Sequence, residues 1–318
     1  MAAFQVPEFA KPYLHHFVTE QEIELVIKIA GNSLTRDQIA SLFNNSPDID
    51  DLLEQAYQRY VINKEEKDGT VYYSVSDFYS RLDDYSKFGN YYVLPQKIRQ
   101  QLDKWCYLEY LKRNNHFKVV VDNDPNYENC HNDLILLLSE VEEMIDAAEK
   151  IMVLPCNCKM LADNCDRPRE VCLFFDGHIT DRTKGRLLSR EEAKELLYMA
   201  DKKGLMHTGG PYNWREEGLT AVCNCCADCC YPFRAAKQLG TKGKWPKSCY
   251  IAKYDPEKCR LCGRCVQRCH FGAFYFDGTS VERKGREKKN VTYNPVLCWG
   301  CGLCANTCPS NAITMEKL

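Results

Sequence analysis

The sequence predicts an α+β protein in three parts, covering residues 1–131, 132–250 and 251–318. Three observations support this division. Apolar residues recur at helical spacing in the first part, where capping signals also occur. Two dense groups of cysteines stand about fifty residues apart in the second part, and a cysteine motif occurs twice in the third. We therefore expect a helical docking domain, a cysteine-rich metal-binding module and a small carboxyl-terminal domain.

The amino-terminal part reads as three helices followed by a hairpin. Ile23, Val26 and Ile27 share one face of a predicted helix over 20–30. A capping box of Thr35 and Gln38 predicts a second helix, and Ser46-Pro47 a third. A Lys-Asp-Gly turn at 67–69 then separates two predicted strands. This order of elements resembles a winged helix.

Charge argues against the nucleic-acid binding that a winged helix often performs. Residues 1–100 contain 10 Lys and Arg against 15 Asp and Glu, a net charge of −5 (10 − 15). The third predicted helix, which would enter the major groove, carries Asp48, Asp50, Asp51 and Glu54. Negative charge there repels phosphate. We therefore expect docking or scaffolding from this part, with nucleic acid an unfavoured partner.

The connection to the centre is predicted to be mostly helical. Helical patterns run over 77–88 and 95–113. Residues 114–132 mix a short apolar run with Asp, Asn and Pro, which predicts a strand and a loop. Asn132 is then predicted to cap a helix that begins with Leu134 and continues to Ala148.

The carboxyl-terminal part contains two copies of C-x2-C-x2-C-x3-C. In this spacing, three thiolates from one loop bind one cubane and the fourth cysteine binds a second cubane. Two [4Fe-4S] clusters are therefore expected. Crossed ligation assigns the first cluster to Cys259, Cys262, Cys265 and Cys308, and the second to Cys298, Cys301, Cys304 and Cys269.

These motifs resemble the bacterial two-cluster ferredoxins over roughly the last sixty residues. The resemblance implies a βαβ-type ferredoxin fold and electron transfer. His270 departs from it, because the family usually has proline after the fourth cysteine, as Pro309 follows Cys308 here. A long connection over 276–293, rich in Lys and Arg, predicts a hairpin whose basic tip either steers an acidic partner or is only solvated.

The central cysteines are too dense for packing alone and are expected to bind metal. They are Cys156, Cys158, Cys165, Cys172, Cys223, Cys225, Cys226, Cys229 and Cys230. Nine thiols are enough for one or two further [4Fe-4S] clusters, which we favour over structural zinc because two cubanes follow directly downstream. Adjacent cysteines such as Cys225 and Cys226 reach one ion from a turn more easily than from a strand. We expect Lys159 and Arg234 to tune the potential of such a cluster.

The spacing of these cysteines extends the resemblance. C-x-C, then Cys-Asp-Arg-Pro-x-Glu-x-Cys, then Cys-Asn-Cys-Cys, with a capping box of Ser189 and Glu192 between them, resembles ferredoxin-like proteins of anaerobes. Members of that largely uncharacterised family join a winged-helix-like front, this module and a two-cluster ferredoxin end. The resemblance implies iron-sulfur binding and redox work without naming a substrate.

Composition restricts where the protein works. The net charge of −2 indicates no general affinity for nucleic acid or anionic membranes. No run of about eighteen apolar residues and no signal peptide is evident, so we expect no membrane insertion. Twenty cysteines with metal-ligand spacings indicate a reducing cytoplasm, and exposed cubanes favour an anaerobic host.

Three functions compete. The favoured one is an electron-transfer protein or subunit that passes low-potential electrons to a partner oxidoreductase or a soluble redox carrier. A reductase or lyase acting at an open central cluster is the first alternative. It gains no support from a nucleotide fingerprint, since no G-x-G-x-x-G occurs. The second alternative is a redox-responsive DNA-binding regulator.

Overall fold

The computed structural model describes residues 3–114, 134–211, 213–283 and 285–318, and it divides the chain into two compact units. The first unit comprises Met1–Lys112 together with Met160–Ala162, and the second comprises Arg113–Lys159 together with Asp163–Leu318. Except for residue 114, the predicted strand and loop over 114–132 and the predicted capping residue Asn132 fall outside the described residues. None of the helices that the structure describes is long and apolar enough to cross a membrane.

The first unit is mostly helical. Its elements are α1 (Leu14–Phe17), α2 (Glu20–Ile29), β1 (Ser33–Thr35), α3 (Arg36–Leu42), α4 (Ile49–Gln58), β2 (Ile62–Lys67), β3 (Thr70–Val75), α5 (Phe78–Phe88) and α6 (Gln96–Arg113). The three strands form one antiparallel sheet in the order β1-β3-β2. The short strand β1 was not predicted, because three residues are too few to show an alternating pattern.

Local capping explains where these helices begin. Thr19 with Glu22, and Thr35 with Gln38, each form a complete capping box at the start of α2 and α3. The predicted start of α4 at Ser46-Pro47 is wrong, since that helix begins at Ile49. The tight turn predicted at 67–69 does separate β2 from β3.

The second unit contains a seven-stranded sheet and two small two-stranded sheets. Its first elements are β4 (Leu134–Leu136), α7 (Leu138–Ala147), β5 (Ile151–Pro155), α8 (Asn157–Ala162), β6 (Glu170–Phe175), β7 (Arg186–Leu188), α9 (Arg190–Lys202), β8 (Met206–Gly210), α10 (Trp214–Glu217) and β9 (Ala221–Cys225). They continue with α11 (Tyr231–Leu239), β10 (Lys247–Ser248), β11 (Tyr250–Tyr254), α12 (Arg264–Arg268), β12 (Phe274–Arg283), β13 (Arg286–Tyr293), α13 (Leu303–Asn306) and β14 (Ile313–Lys317).

The large sheet has the strand order β10-β4-β8-β9-β6-β5-β7, and only the β10–β4 pair is parallel. The prediction of a helix through Leu134 is wrong, because 134–136 form the strand β4. All three residues of β4 are buried, as expected for a strand inside a sheet rather than one face of a helix. The helix α7 starts later, where the Glu140 carboxylate accepts a hydrogen bond from the Leu137 N–H.

The carboxyl-terminal elements pack on this sheet through a polar anchor at Asp201, near the end of α9. The Asp201 carboxylate accepts hydrogen bonds from Asn306 Nδ2 at 2.8 Å and from an Arg268 guanidinium nitrogen at 3.2 Å. The same Arg268 nitrogen also reaches the Asp201 carbonyl at 2.5 Å. Because both α12 and α13 are held by one buried side chain, Asp201 positions the two helices that follow the cysteine loops.

We predict that Asp201→Ala loosens this attachment. Removing a buried acceptor leaves charged and amide donors unsatisfied, at a cost of about 1–3 kcal/mol. Faster amide hydrogen exchange over 264–268 and 303–306 would report the change. Glu195→Ala is the matched control, since Glu195 is exposed on the same helix. Equal exchange in both variants would contradict a special role for Asp201.

Candidate metal centres

The duplicated motif produces the same local geometry twice. Two residues after the first cysteine of each copy, a backbone N–H points at that cysteine's sulfur, from Leu261 to Cys259 at 3.3 Å and from Gly300 to Cys298 at 3.4 Å. Hydrogen bonds to the ligand sulfurs are among the features that set the reduction potential of an iron-sulfur cluster.

The fourth cysteines receive a second equivalent pair of hydrogen bonds. Ala273 N–H donates to Cys269 at 3.2 Å, and Ala312 N–H donates to Cys308 at 3.3 Å. Burial alone would raise the pKa of the Cys308 thiol, but the surrounding backbone donors, which include Ser310, hold it below its ordinary value. Both halves of the motif thus direct backbone N–H donors at their first and fourth cysteines.

The loop of the second copy requires glycine. Gly300 has φ = +69°, in the left-handed region, and a Cβ on it would lie 2.1 Å from the Tyr250 carbonyl oxygen. A larger residue is therefore excluded by both backbone conformation and space. This close approach holds the Cys298–Cys301 turn against the beginning of β11.

Charge interactions show which of these thiols are neighbours. Burial raises the pKa of the Cys301 thiol to about 12, and the nearby Cys269 and Cys298 thiols add to the increase. Cys265 likewise has its pKa raised to about 12 by burial and by Cys259. Cys269, although it belongs to the first copy of the motif, therefore lies near Cys301 of the second copy. Cys262 is exposed to solvent.

The nine central cysteines separate into two sets. The first, which we call the six-thiol group, is connected by successive thiol-thiol contacts in the order 158, 156, 172, 223, 225 and 230. The last contact joins Cys225 and Cys230 at 3.3 Å. Cys158 and Cys223 are partly exposed, and the other four are buried.

The second set, which we call the thiol triad, consists of Cys165, Cys226 and Cys229. The Cys165 sulfur lies 4.0 Å from that of Cys226 and 3.9 Å from that of Cys229. All three sulfurs lie within 4.8 Å of one another. Cys226 and Cys229 are buried, whereas Cys165 is half-buried.

The turn after β9 separates two adjacent cysteines. Cys225 is the last residue of that strand and belongs to the six-thiol group, whereas Cys226 lies in the turn and belongs to the triad. Successive side chains point in opposite directions where a strand ends. The sequence argument that a turn lets adjacent cysteines share one ion does not apply here.

Lys159 lies among these thiols, as expected from its position beside Cys158. Its side chain is buried, and its ammonium donates a hydrogen bond to the backbone carbonyl of Asn224 at 2.5 Å. Burial alone would lower the pKa of Lys159, but the charges of Cys156 and Cys172, followed by those of Cys225 and Cys226, raise it above its ordinary value. The Lys159 ammonium therefore lies among thiols of both sets.

Asn224 organises the space behind the thiols and was missed by the sequence argument. Its side-chain Nδ2 donates a hydrogen bond to the Val171 backbone carbonyl, and its side-chain Oδ1 lies 2.6 Å from His207 Nδ1. His207 is buried, and burial lowers the pKa of its imidazole. The Cys-Asn-Cys pattern was the available signal, because the amide of a buried Asn224 needs hydrogen-bond partners.

A basic groove lies beside the first copy of the motif. It has a volume of about 700 Å³ and its wall includes Cys259. The groove is lined by five cations, Lys258, Arg260, Arg283, Arg286 and Lys288, and one anion, Glu257. Arg283 and Lys288 on the predicted hairpin donate to backbone carbonyls of the Cys259 loop, which holds the hairpin beside it.

These donor sets fit iron-sulfur clusters. Soft thiolates select iron-sulfur clusters or zinc, and the paired N–H donors described above point at the ferredoxin-type sulfurs. Ligands of one cubane bind different irons, so their sulfurs must be spread apart. Among the described residues, no three of the eight carboxyl-terminal sulfurs lie within 4.8 Å of one another.

Comparison with known proteins identifies the carboxyl-terminal part. Residues 258–312 match the family model of the 4Fe-4S dicluster domain. The indolepyruvate oxidoreductase subunit IorA of Pyrococcus horikoshii is 38% identical over 76 residues, which cover 24% of this chain and 10% of that protein. The probable oxidoreductase YjgC of Bacillus subtilis is 38% identical over 69 residues, 20% of this chain and 7% of that protein.

A third relative is itself named for multiple clusters. The polyferredoxin protein FwdF of Methanocaldococcus jannaschii is 47% identical over 45 residues, 14% of this chain and 13% of that protein. The chain thus spans only about a tenth of the length of these relatives. No solved structure matches the chain. The carboxyl-terminal part carries a 4Fe-4S dicluster domain, which implies two [4Fe-4S] clusters.

Proposed function

We propose that this protein is an electron-transfer subunit that relays low-potential electrons between a central metal centre and its dicluster domain. One observation carries the proposal. Cys225 and Cys230 of the six-thiol group lie in the same buried apolar cluster as Trp299 and Leu303, with Cys301 packed against its edge. A short, dry distance between two cluster sites is what a relay requires, and single-electron transfer is the chemistry that bound clusters supply.

We assign the ligands as crossed sets. Cys259, Cys262, Cys265 and Cys308 hold one cluster, and Cys298, Cys301, Cys304 and Cys269 hold the other. The proximity of Cys269 to Cys301 supports the exchange. The six-thiol group holds at least one further [4Fe-4S] cluster, since it offers more than the four thiolates that one cubane needs.

We infer that the external partner is an acidic electron carrier or an oxidoreductase with an acidic docking face. The exposed Cys262 and the basic groove lie on the first copy of the motif, so positive charge surrounds the most accessible cluster site. Complementary charge accelerates encounter and fixes orientation. The relatives named as oxidoreductase subunits support such a partner.

The first unit serves as a docking domain of winged-helix type in this proposal. The order α2, β1, α3, α4, β2, β3, with β1 paired to β3, supports the winged-helix interpretation. Asp50 and Asp51 in the first turn of α4 weigh against a DNA-binding regulator. The same proposal includes a three-part division of the chain at residues 131 and 250. It also includes a cytoplasmic location, because metal-binding thiols must stay reduced.

We predict about twelve iron atoms and twelve acid-labile sulfides per chain in anaerobically purified protein, four for each of three clusters. Cys172→Ser should lower both counts by about four, because it removes a buried member of the six-thiol group. Cys106→Ser is the control, since Cys106 is buried in the first unit and belongs to neither of the two central sets. About eight iron atoms in the unsubstituted protein would contradict a central cluster.

We predict that Lys159→Met lowers the reduction potential of the central centre. A buried cation favours the more negative reduced state, so its loss should shift the potential downward by on the order of 50 mV, equivalent to about tenfold in the equilibrium constant for one electron. Potentiometric titration followed by EPR measures this. The exposed Lys150→Met is the control, and a shift of equal size there would exclude a local effect of Lys159.

We predict that the double variant Arg260→Glu, Arg286→Glu slows electron exchange with an acidic carrier such as a flavodoxin. At low ionic strength the second-order rate should fall by about tenfold or more, and its decline with added salt should flatten. Lys97→Glu is the control, because it makes the same change of net charge as each of the two substitutions but at an exposed site in the first unit. A wild-type rate that rises with salt would refute the acidic partner.

A further inference from the structure

The three sulfurs of the thiol triad are spaced like the ligands of one tetrahedral ion. Zinc binds thiolate at about 2.3 Å, so two thiolates of one tetrahedral ion lie about 3.8 Å apart. The measured separations of Cys165 from Cys226 and Cys229 are 4.0 and 3.9 Å. The triad spacing therefore fits a single ion.

The local backbone supports the same interpretation. Cys226 and Cys229 form a C-x2-C turn after β9, the spacing typical of zinc ligands. Backbone N–H groups of Asp228 and Cys229 donate to the Cys226 sulfur, and Arg167 N–H donates to Cys165. Two of the three sulfurs thus receive hydrogen bonds from fixed backbone donors, which stabilise them as thiolates.

The described residues supply three ligands and leave the fourth position open. No histidine, cysteine or carboxylate atom of the described chain joins the three sulfurs within the 4.8 Å limit. The half-buried Cys165 lies on the solvent side, opposite two fully buried partners. Structural zinc sites are usually closed by four protein ligands, whereas open sites keep a water or a substrate.

We propose that Cys165, Cys226 and Cys229 bind one zinc ion whose fourth position takes an exchangeable external ligand. Three thiolates on Zn²⁺ leave a net charge of −1 (2 − 3), so the site favours a neutral oxygen or nitrogen donor, with water as the resting ligand. The site is distinct from the six-thiol group and does not depend on the electron relay. It adds a ligand-binding centre to a protein otherwise proposed to carry electrons.

The test begins with zinc, iron and sulfide counts on the anaerobically purified full chain. We expect about one zinc per chain. Cys165→Ser and Cys229→Ser should each reduce zinc by about tenfold and leave iron and sulfide unchanged. Cys172→Ser should lower iron and sulfide and leave zinc unchanged. Cys249→Ser, at a cysteine outside both sets, should leave zinc, iron and sulfide unchanged. Cys165→Ser is the safest triad variant because Cys165 is half-buried.

Zinc-edge X-ray absorption then examines the coordination sphere without interference from iron. We expect three sulfur neighbours at about 2.3 Å and one lighter neighbour at about 2.0 Å. Added imidazole should replace the light ligand and introduce its outer-shell scattering.

Three results would overturn the inference. The first is loss of iron and sulfide from Cys165→Ser, the second is four sulfur neighbours, and the third is absence of zinc. A shortage of iron in the unsubstituted protein would instead refute the central cluster of the relay and leave the zinc results to be judged separately.

Discussion

The second unit depends on the packing of Trp299 between the thiol-bearing turn and the loop of the dicluster domain. The Trp299 ring stacks on Phe271 with 4.4 Å between centroids and lies 5.5 Å from Phe233, at the start of the helix that follows Cys230. Burying three aromatic rings contributes several kcal/mol. It also excludes water between Cys230 and Cys301. These rings join the six-thiol group to the dicluster domain. The proposed relay depends on this packing, because it keeps Cys230 and Cys301 at one apolar cluster.

Charge is arranged differently at the two ends of this path. At the buried end, Lys159 offsets the charge of several thiols and is itself held by the Asn224 carbonyl. A single cation inside the protein interacts strongly with nearby sulfurs because little water screens it. At the exposed end, the cations of the basic groove act over longer distances and remain sensitive to salt. In the proposed relay, the first arrangement adjusts the reduction potential and the second selects the partner.

One short segment contributes thiols to both central cysteine sets. The segment from Cys223 to Cys230 supplies three thiols to the six-thiol group and two to the triad. The end of β9 directs Cys225 and Cys226 to opposite sides, while α11 begins directly after Cys230. Because the two sets draw on the same segment, a change in one is expected to disturb the other mainly through the backbone. Single Cys-to-Ser substitutions keep that backbone and therefore separate the two sites.

The sequence by itself determined whatever depends on neighbours along the chain. The duplicated cysteine spacing specified two clusters, and the capping boxes at Thr35 and Ser189 located helix starts, because these signals act within a few residues. The tertiary structure decided what depends on distant contacts. Leu134 to Leu136 form a strand because β8 and β10 flank them. Likewise, Cys165 is separated from Cys156 and Cys158 because it meets a turn some sixty residues away, and such long-range proximity leaves no pattern in local spacing.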